Sequence, residues 1–136
     1  MLQRIQSVWL LLASACAFFS LNTTFYIGTN QQLIPSYELK GTENFLTTLL
    51  TMAIGLLAFI CIFLYKNRTL QVNLCVVGIF LTLGLLGLFV YYIQSYNGGT
   101  LGIAALLQGA IILFFILALR GISRDNLIIK ESNRLR

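Results

Sequence analysis

The sequence predicts an all-α integral membrane protein: an antiparallel four-helix bundle with both termini cytoplasmic and a short basic tail. Three observations carry that reading. Two apolar runs, Phe45 to Tyr65 and Val72 to Ile93, hold no charged residue and flank the polar turn Lys66-Asn67-Arg68. Each is long enough to cross a bilayer, which takes about 20 apolar residues at roughly 1.5 Å per residue. The composition agrees: 58% of residues are hydrophobic, 10% are charged and the mean hydropathy is +0.87. A soluble domain carries roughly 25% charge, and a fold of this length has too little interior to hide so much apolar surface. The third observation is charge placement. Arg4, Lys66, Arg68, Arg120, Arg124, Lys130, Arg134 and Arg136 fall on one side of a four-span layout, and only Lys40 falls on the other. Short loops rich in Lys and Arg stay cytoplasmic, so that split sets the orientation.

The first span is read from about residue 5 to residue 27. Arg4 followed by Val8-Trp9-Leu10-Leu11-Leu12 resembles a signal sequence, with small-residue sites at Ala13-Ser14-Ala15 and Ala15-Cys16-Ala17. The apolar stretch continues past both sites through Phe18-Phe19, so the segment is read as a retained span. The polar loop 28–44 follows, with the one proline, Pro35, and the charges Glu38, Lys40 and Glu43. It reads as a passive connector on the outer surface, with a binding role as the alternative, and the interfacial aromatics Tyr26, Tyr37 and Phe45 suit that level of the membrane. The triplets Asn22-Thr23-Thr24 and Asn67-Arg68-Thr69 match the glycosylation pattern. The second lies on the cytoplasmic side of the layout, and both are read as chance.

The remaining spans are placed at 45–65, 72–93 and 101–119, with the outer turn Asn97-Gly98-Gly99 between the last two. Small residues recur at helical spacing in each. Thr47, Thr51, Gly55 and Ala58 share a face of the second span. Asn73, Gly84, Gly87 and Tyr91 share one of the third. Gly102, Ala105 and Gly109 share one of the fourth, beside Gln108. In lipid, close backbone approach holds helices together. Such stripes therefore serve either the fold of this chain or its attachment to another subunit, and the sequence does not separate the two. Residues 121–136 form the tail, where Arg124, Lys130, Arg134 and Arg136 outnumber Asp125 and Glu131. Ile128 and Leu135 stand seven apart, a weak amphipathic signal.

Chemistry is hard to place. There is no histidine, which removes the commonest general base and metal ligand. No predicted span contains an ionisable residue, the usual mark of an ion or proton path. Cys16, Cys61 and Cys75 lie inside apolar runs without a paired spacing, so they read as packing residues. No phosphate-binding glycine loop is present. Gln108 is the one strongly polar residue near the middle of a span. It reads as an interhelical hydrogen bond, with a ligand or quinone contact as the alternative. The net charge of +5 is explained by orientation, so no nucleic-acid partner is expected.

The two ends of the chain carry a resemblance. Met1-Leu2-Gln3-Arg4-Ile5-Gln6-Ser7-Val8-Trp9-Leu10 resembles the opening of a bacterial domain-of-unknown-function family of small four-span inner-membrane proteins. Arg120-Gly121-Ile122, Arg124-Asp125 and Ser132-Asn133-Arg134-Leu135-Arg136 are similar to its basic close. That family is uncharacterised, so the resemblance implies a fold and a compartment, the bacterial inner membrane, and no catalytic residues. The functional expectation is a non-enzymatic accessory or scaffold subunit of a larger membrane complex, without cofactor. Its partners are the bilayer, an integral membrane protein, and a cytoplasmic protein met through Arg124, Ile128, Lys130, Arg134, Leu135 and Arg136. The alternative is a binder or carrier of lipid, quinone or another small hydrophobic molecule.

Overall fold

The computed structural model describes residues 3–29, 37–64 and 66–134. In chain order these form helix α1 (Gln3–Asn22), strands β1 (Thr24–Thr29) and β2 (Tyr37–Lys40), helices α2 (Phe45–Phe63) and α3 (Arg68–Ile93), strand β3 (Asn97–Leu101) and helix α4 (Ile103–Arg134). All four helices are long and apolar enough to cross a membrane, which suggests a multi-pass membrane protein. They pack as a ring in which each helix touches its two neighbours and α4 closes back on α1. Gln6 meets Asp125, Ser20 meets Gln108 and Phe25 meets Gly102, so α1 and α4 run in opposite directions.

The buried residues follow one rule in every helix. Apart from Ser14 and Gly55, which sit beside the seam and meet each other, they are Gln6, Leu10, Ala13, Ala17 and Ser20 in α1, and Thr47, Thr51, Ile54, Ala58 and Cys61 in α2. In α3 they are Gln71, Cys75, Gly78, Thr82, Leu85 and Phe89, and in α4 Ala104, Gln108, Ile111, Phe115, Ala118 and Ile122. The steps alternate between four and three. That repeat of about 3.5 residues keeps one seam facing a neighbour at a shallow crossing angle. The seam also holds Gln6, Thr47, Thr51, Gln71, Thr82 and Gln108, since a glutamine or threonine in lipid must find a partner inside the protein. The outer faces are apolar: Phe45 is 84% exposed, Leu106 77% and Phe80 69%. Water would penalise such a surface heavily, while lipid tails do not. At Gly78 an added Cβ would lie 2.7 Å from the Phe115 ring, so this glycine is what lets α3 and α4 close around Phe115.

Four expectations are corrected. The fold is mostly helical but not all-α, because a three-stranded sheet in the order β2-β1-β3 covers one end of the bundle. Both pairings are antiparallel, with Ile27 opposite Glu38 on one side and Thr100 on the other. The first helix therefore stops at Asn22 rather than near residue 27, and the β-branched and aromatic run Thr24-Phe25-Tyr26-Ile27 becomes the central strand. Asn97-Gly98-Gly99 is part of β3 rather than a free turn, and the 28–44 connector carries β2. Pro35 lies outside the described residues. Finally, Arg120 does not end the last helix, and α4 continues without interruption to Arg134. Leu135 and Arg136 lie outside the described residues.

Candidate functional site

The interior of the bundle holds a line of hydrogen bonds. Ser14 Oγ donates to the Gly55 carbonyl at 3.0 Å and joins α1 to α2. Gln71 Nε2 donates to the Cys61 carbonyl at 3.1 Å and joins α3 to α2. Thr51 and Thr82 donate back to the carbonyls of Thr47 and Gly78, each at 2.7 Å. Gln108 is 1% exposed; its Nε2 donates to Ser20 Oγ at 3.4 Å, and Ser20 passes its own proton to the Ala17 carbonyl at 2.7 Å. The first of these is long, hence weak. Gln108 Oε1 is buried with no partner among the described residues.

The packing residues expected from sequence divide into two sets. Thr47, Thr51, Gly55 and Gln108 face inward and are buried. Ala105 is half-buried. Gly84, Gly87 and Gly109 face outward, where an added Cβ would meet open space. The reason is phase: Gly84 and Gly109 each stand one residue away from a seam position, Leu85 and Gln108. One residue turns a helix by about 100°. A feature that sequence spacing does not reveal is that the free cysteines Cys61 of α2 and Cys75 of α3 are both fully buried on the seams of neighbouring helices. They stand fourteen residues apart, so only the packing of the two helices places both inside.

The sheet end is built on β1. Phe25 is buried and stacks on Phe89, ring centroids 4.0 Å apart. The Gly102 N–H donates to the Phe25 carbonyl at 2.7 Å. Beside the sheet lies an open cleft of about 500 Å³, lined by Thr24, Ile27, Glu38, Lys40 and Leu101 among others. Lys40 pairs with Glu38 at 3.1 Å and Thr24 Oγ1 donates to the same carboxylate at 3.1 Å. Those contacts, Lys40 first, hold the Glu38 carboxyl below the usual glutamate range. Tyr37 donates to Glu43 at 2.7 Å, and that bond raises the phenol above its usual range.

The opposite, basic end is built on α4. Gly121 packs against Gln6, where a Cβ would come within 2.9 Å of Gln6 Cγ, and Gln6 Nε2 donates to Asp125 Oδ2. Asp125 is thus spent on α1. Arg124, Ile128, Lys130 and Arg134 are exposed. Two open clefts meet on this helix. One, of about 580 Å³, is lined by Arg120, Gly121, Ser123, Arg124 and Leu127. The other, of about 470 Å³, is lined by Ser123, Asn126, Leu127 and Lys130 of α4 and by Thr69 and Val72 of α3. Arg68 Nη1, in the same first turn of α3, is buried with no hydrogen-bond partner among the described residues. None of the three clefts is lined by Gln108. Among the described residues no group of acidic, cysteine or histidine side chains could hold a metal.

Residues 2–135 match a domain of unknown function, DUF4293. The chain belongs to that family. No curated protein and no solved structure matches it. The match runs from the start of α1 to the end of α4, so the extension beyond Arg120 is part of the DUF4293 unit itself.

Proposed function

We propose that this DUF4293 protein is a non-enzymatic accessory or scaffold subunit of a larger complex in a bacterial inner membrane, with both termini cytoplasmic. The observation that carries this reading is the outward exposure of Gly84, Gly87 and Gly109. On a lipid-facing surface, glycines leave backbone open to close approach by another helix, and small residues are what membrane helix interfaces use. The seam polar groups are largely satisfied within the chain, which leaves little for catalysis. A soluble partner would meet the exposed end of α4 around Ile128 and Arg134. The orientation rests on the charge split. Cysteine labels at Asn67 should be cytoplasmic and those at Lys40 external; an external label at residue 67 would reverse the layout.

The test is purification from the native host in mild detergent, with mass spectrometry of the accompanying proteins. A stoichiometric membrane partner is expected with the natural chain, and Gly84→Leu with Gly87→Leu should lose it while the bundle stays folded. Recovery of the same partner by that variant would refute the reading.

The carrier alternative has one observation in its favour, the unpartnered Oε1 of Gln108. Gln108→Leu should weaken the bundle by about 1 kcal/mol through loss of an interhelical hydrogen bond. If the variant instead releases a bound lipid or quinone from an intact bundle, the carrier reading replaces the scaffold.

A further inference from the structure

The two clefts at the basic end share Ser123 and Leu127, so they form one continuous surface across α3 and α4. Arg120, Arg124, Leu127 and Lys130 follow steps of four, three and three, which keeps them on one side of α4. Arg120 and Arg124 therefore border the first cleft and Lys130 the second, on either side of Ser123 and Leu127. The nearest acid on α4, Asp125, is turned to Gln6 of α1, and Glu131 lines neither cleft. The opposite wall is the first turn of α3. Thr69 and Val72 are the residues it contributes.

Depth narrows the ligand. The unbroken apolar stretch of α4 ends at Leu119. Ser123 and Arg124 lie about 6 to 8 Å further along the axis at roughly 1.5 Å per residue. The polar headgroup layer of a bilayer is on the order of 5 to 8 Å thick on each side. Lys130 lies beyond that layer, and a lysine stem reaches back toward it. Val72 and Leu127 give the second cleft an apolar floor beside Lys130. Free phosphate has no use for such a floor, whereas the glycerol and first methylenes of a phospholipid do.

We propose that these two adjoining clefts, along residues 120–130 of α4 and beside Thr69 and Val72 of α3, together bind the phosphate headgroup of an anionic phospholipid. Arg120, Arg124 and Lys130 neutralise the phosphate, while Ser123 and Thr69 donate hydrogen bonds to headgroup oxygens. The site stands independently of the scaffold reading and rests only on the chain being a membrane protein.

The test is native mass spectrometry of the full chain in detergent, titrated with phosphatidylglycerol or with phosphatidylcholine of the same acyl chains. Phosphatidylglycerol should be retained preferentially. Arg124→Gln with Lys130→Gln should weaken it about 30-fold, since each basic residue near the surface contributes on the order of a fivefold effect. Both side chains are exposed, so the fold should persist, and Arg124→Lys with Lys130→Arg should restore binding. Arg134→Gln, outside both clefts, should change it less than twofold. Equal retention of the two lipids, or an Arg134→Gln loss as large as that of the double variant, would mean diffuse charge attraction and would overturn the site. Displacement by equimolar glycerol phosphate would show a free-phosphate site and overturn the lipid assignment.

Discussion

The two ends of this bundle are finished in opposite ways. At the sheet end, segments far apart in sequence are tied together: β1 lies between β2 and β3, and Phe25 locks the sheet onto α3 through Phe89. Its one cation, Lys40, is paired with Glu38. At the basic end no strand joins the helices, α4 runs on past its neighbours, and the exposed cations Arg120, Arg124, Lys130 and Arg134 have no acid within salt-bridge distance among the described residues. The sheet end thus meets its own polar needs, while the basic end is left with charge and donors to offer. A surface with unspent charge is the one that can recognise something else.

The contrast can be broken most severely at Phe25. Phe25→Ala removes the stack on Phe89 and leaves a cavity under the sheet, at a cost of about 3 kcal/mol or more. Hydrogen exchange should quicken throughout β1, β2 and β3 while the first turns of α1 stay protected. Uniform loss of protection along the chain would show that the ends are not separate units.

A smaller effect is expected at the other end. Asp125→Ala removes the tie from α4 to Gln6, at a cost of about 1 to 2 kcal/mol for a partly buried hydrogen bond to a charged group. Exchange should then rise from Gly121 onward and leave the sheet unchanged. Unaltered exchange in that stretch would mean that packing of Gly121 and Ile122 suffices to hold α4.

The smallest effect concerns pH. The Glu38 carboxyl titrates below its unfolded value, so its contribution to the sheet end is complete above the ordinary glutamate range. It is lost as pH falls through the lowered value, when Lys40 and Thr24 lose a charged partner. Both partners of the ion pair are exposed, which keeps the effect small. Protection factors of the β2 amides, corrected for the intrinsic exchange rate, should fall in acid, and Glu38→Gln should abolish that fall without altering the basic end. A pH response that survives in Glu38→Gln would assign it to another group.

The helices were legible because a bilayer imposes a length and a composition on whatever crosses it. Phe45–Phe63 and Arg68–Ile93 stand close to where the uncharged runs place them. The sheet was not legible, because Ile27 meets Thr100 across more than seventy residues and no local pattern encodes that pairing. The end of α4 was misplaced for a different reason. Arg120 marks where apolar composition stops, but a helix needs no lipid to continue, and Gly121 to Arg134 contain no proline. Within the spans, residue type alone did not mark the inward face, since Gly55 and Gly78 are buried while the polar Asn73 is exposed. Gln71, Thr82 and Gln108 all lie on the seam, whereas Gly84, Gly87 and Gly109 do not. That Cys61 and Cys75 both lie on the seams of adjoining helices needed the packing itself.

The central position of β1 also sets an order of assembly. During synthesis β1 and β2 emerge close together, but β3 follows only after all of α2 and α3 has been made. Until then β1 has one bare edge. Phe25 lacks its ring partner until Phe89 emerges. Any chain cut short before Asn97 keeps that edge open and can pair with a neighbouring strand instead. Closure of the sheet is therefore a late event in the life of each new molecule, and it reports that the third helix has taken its place.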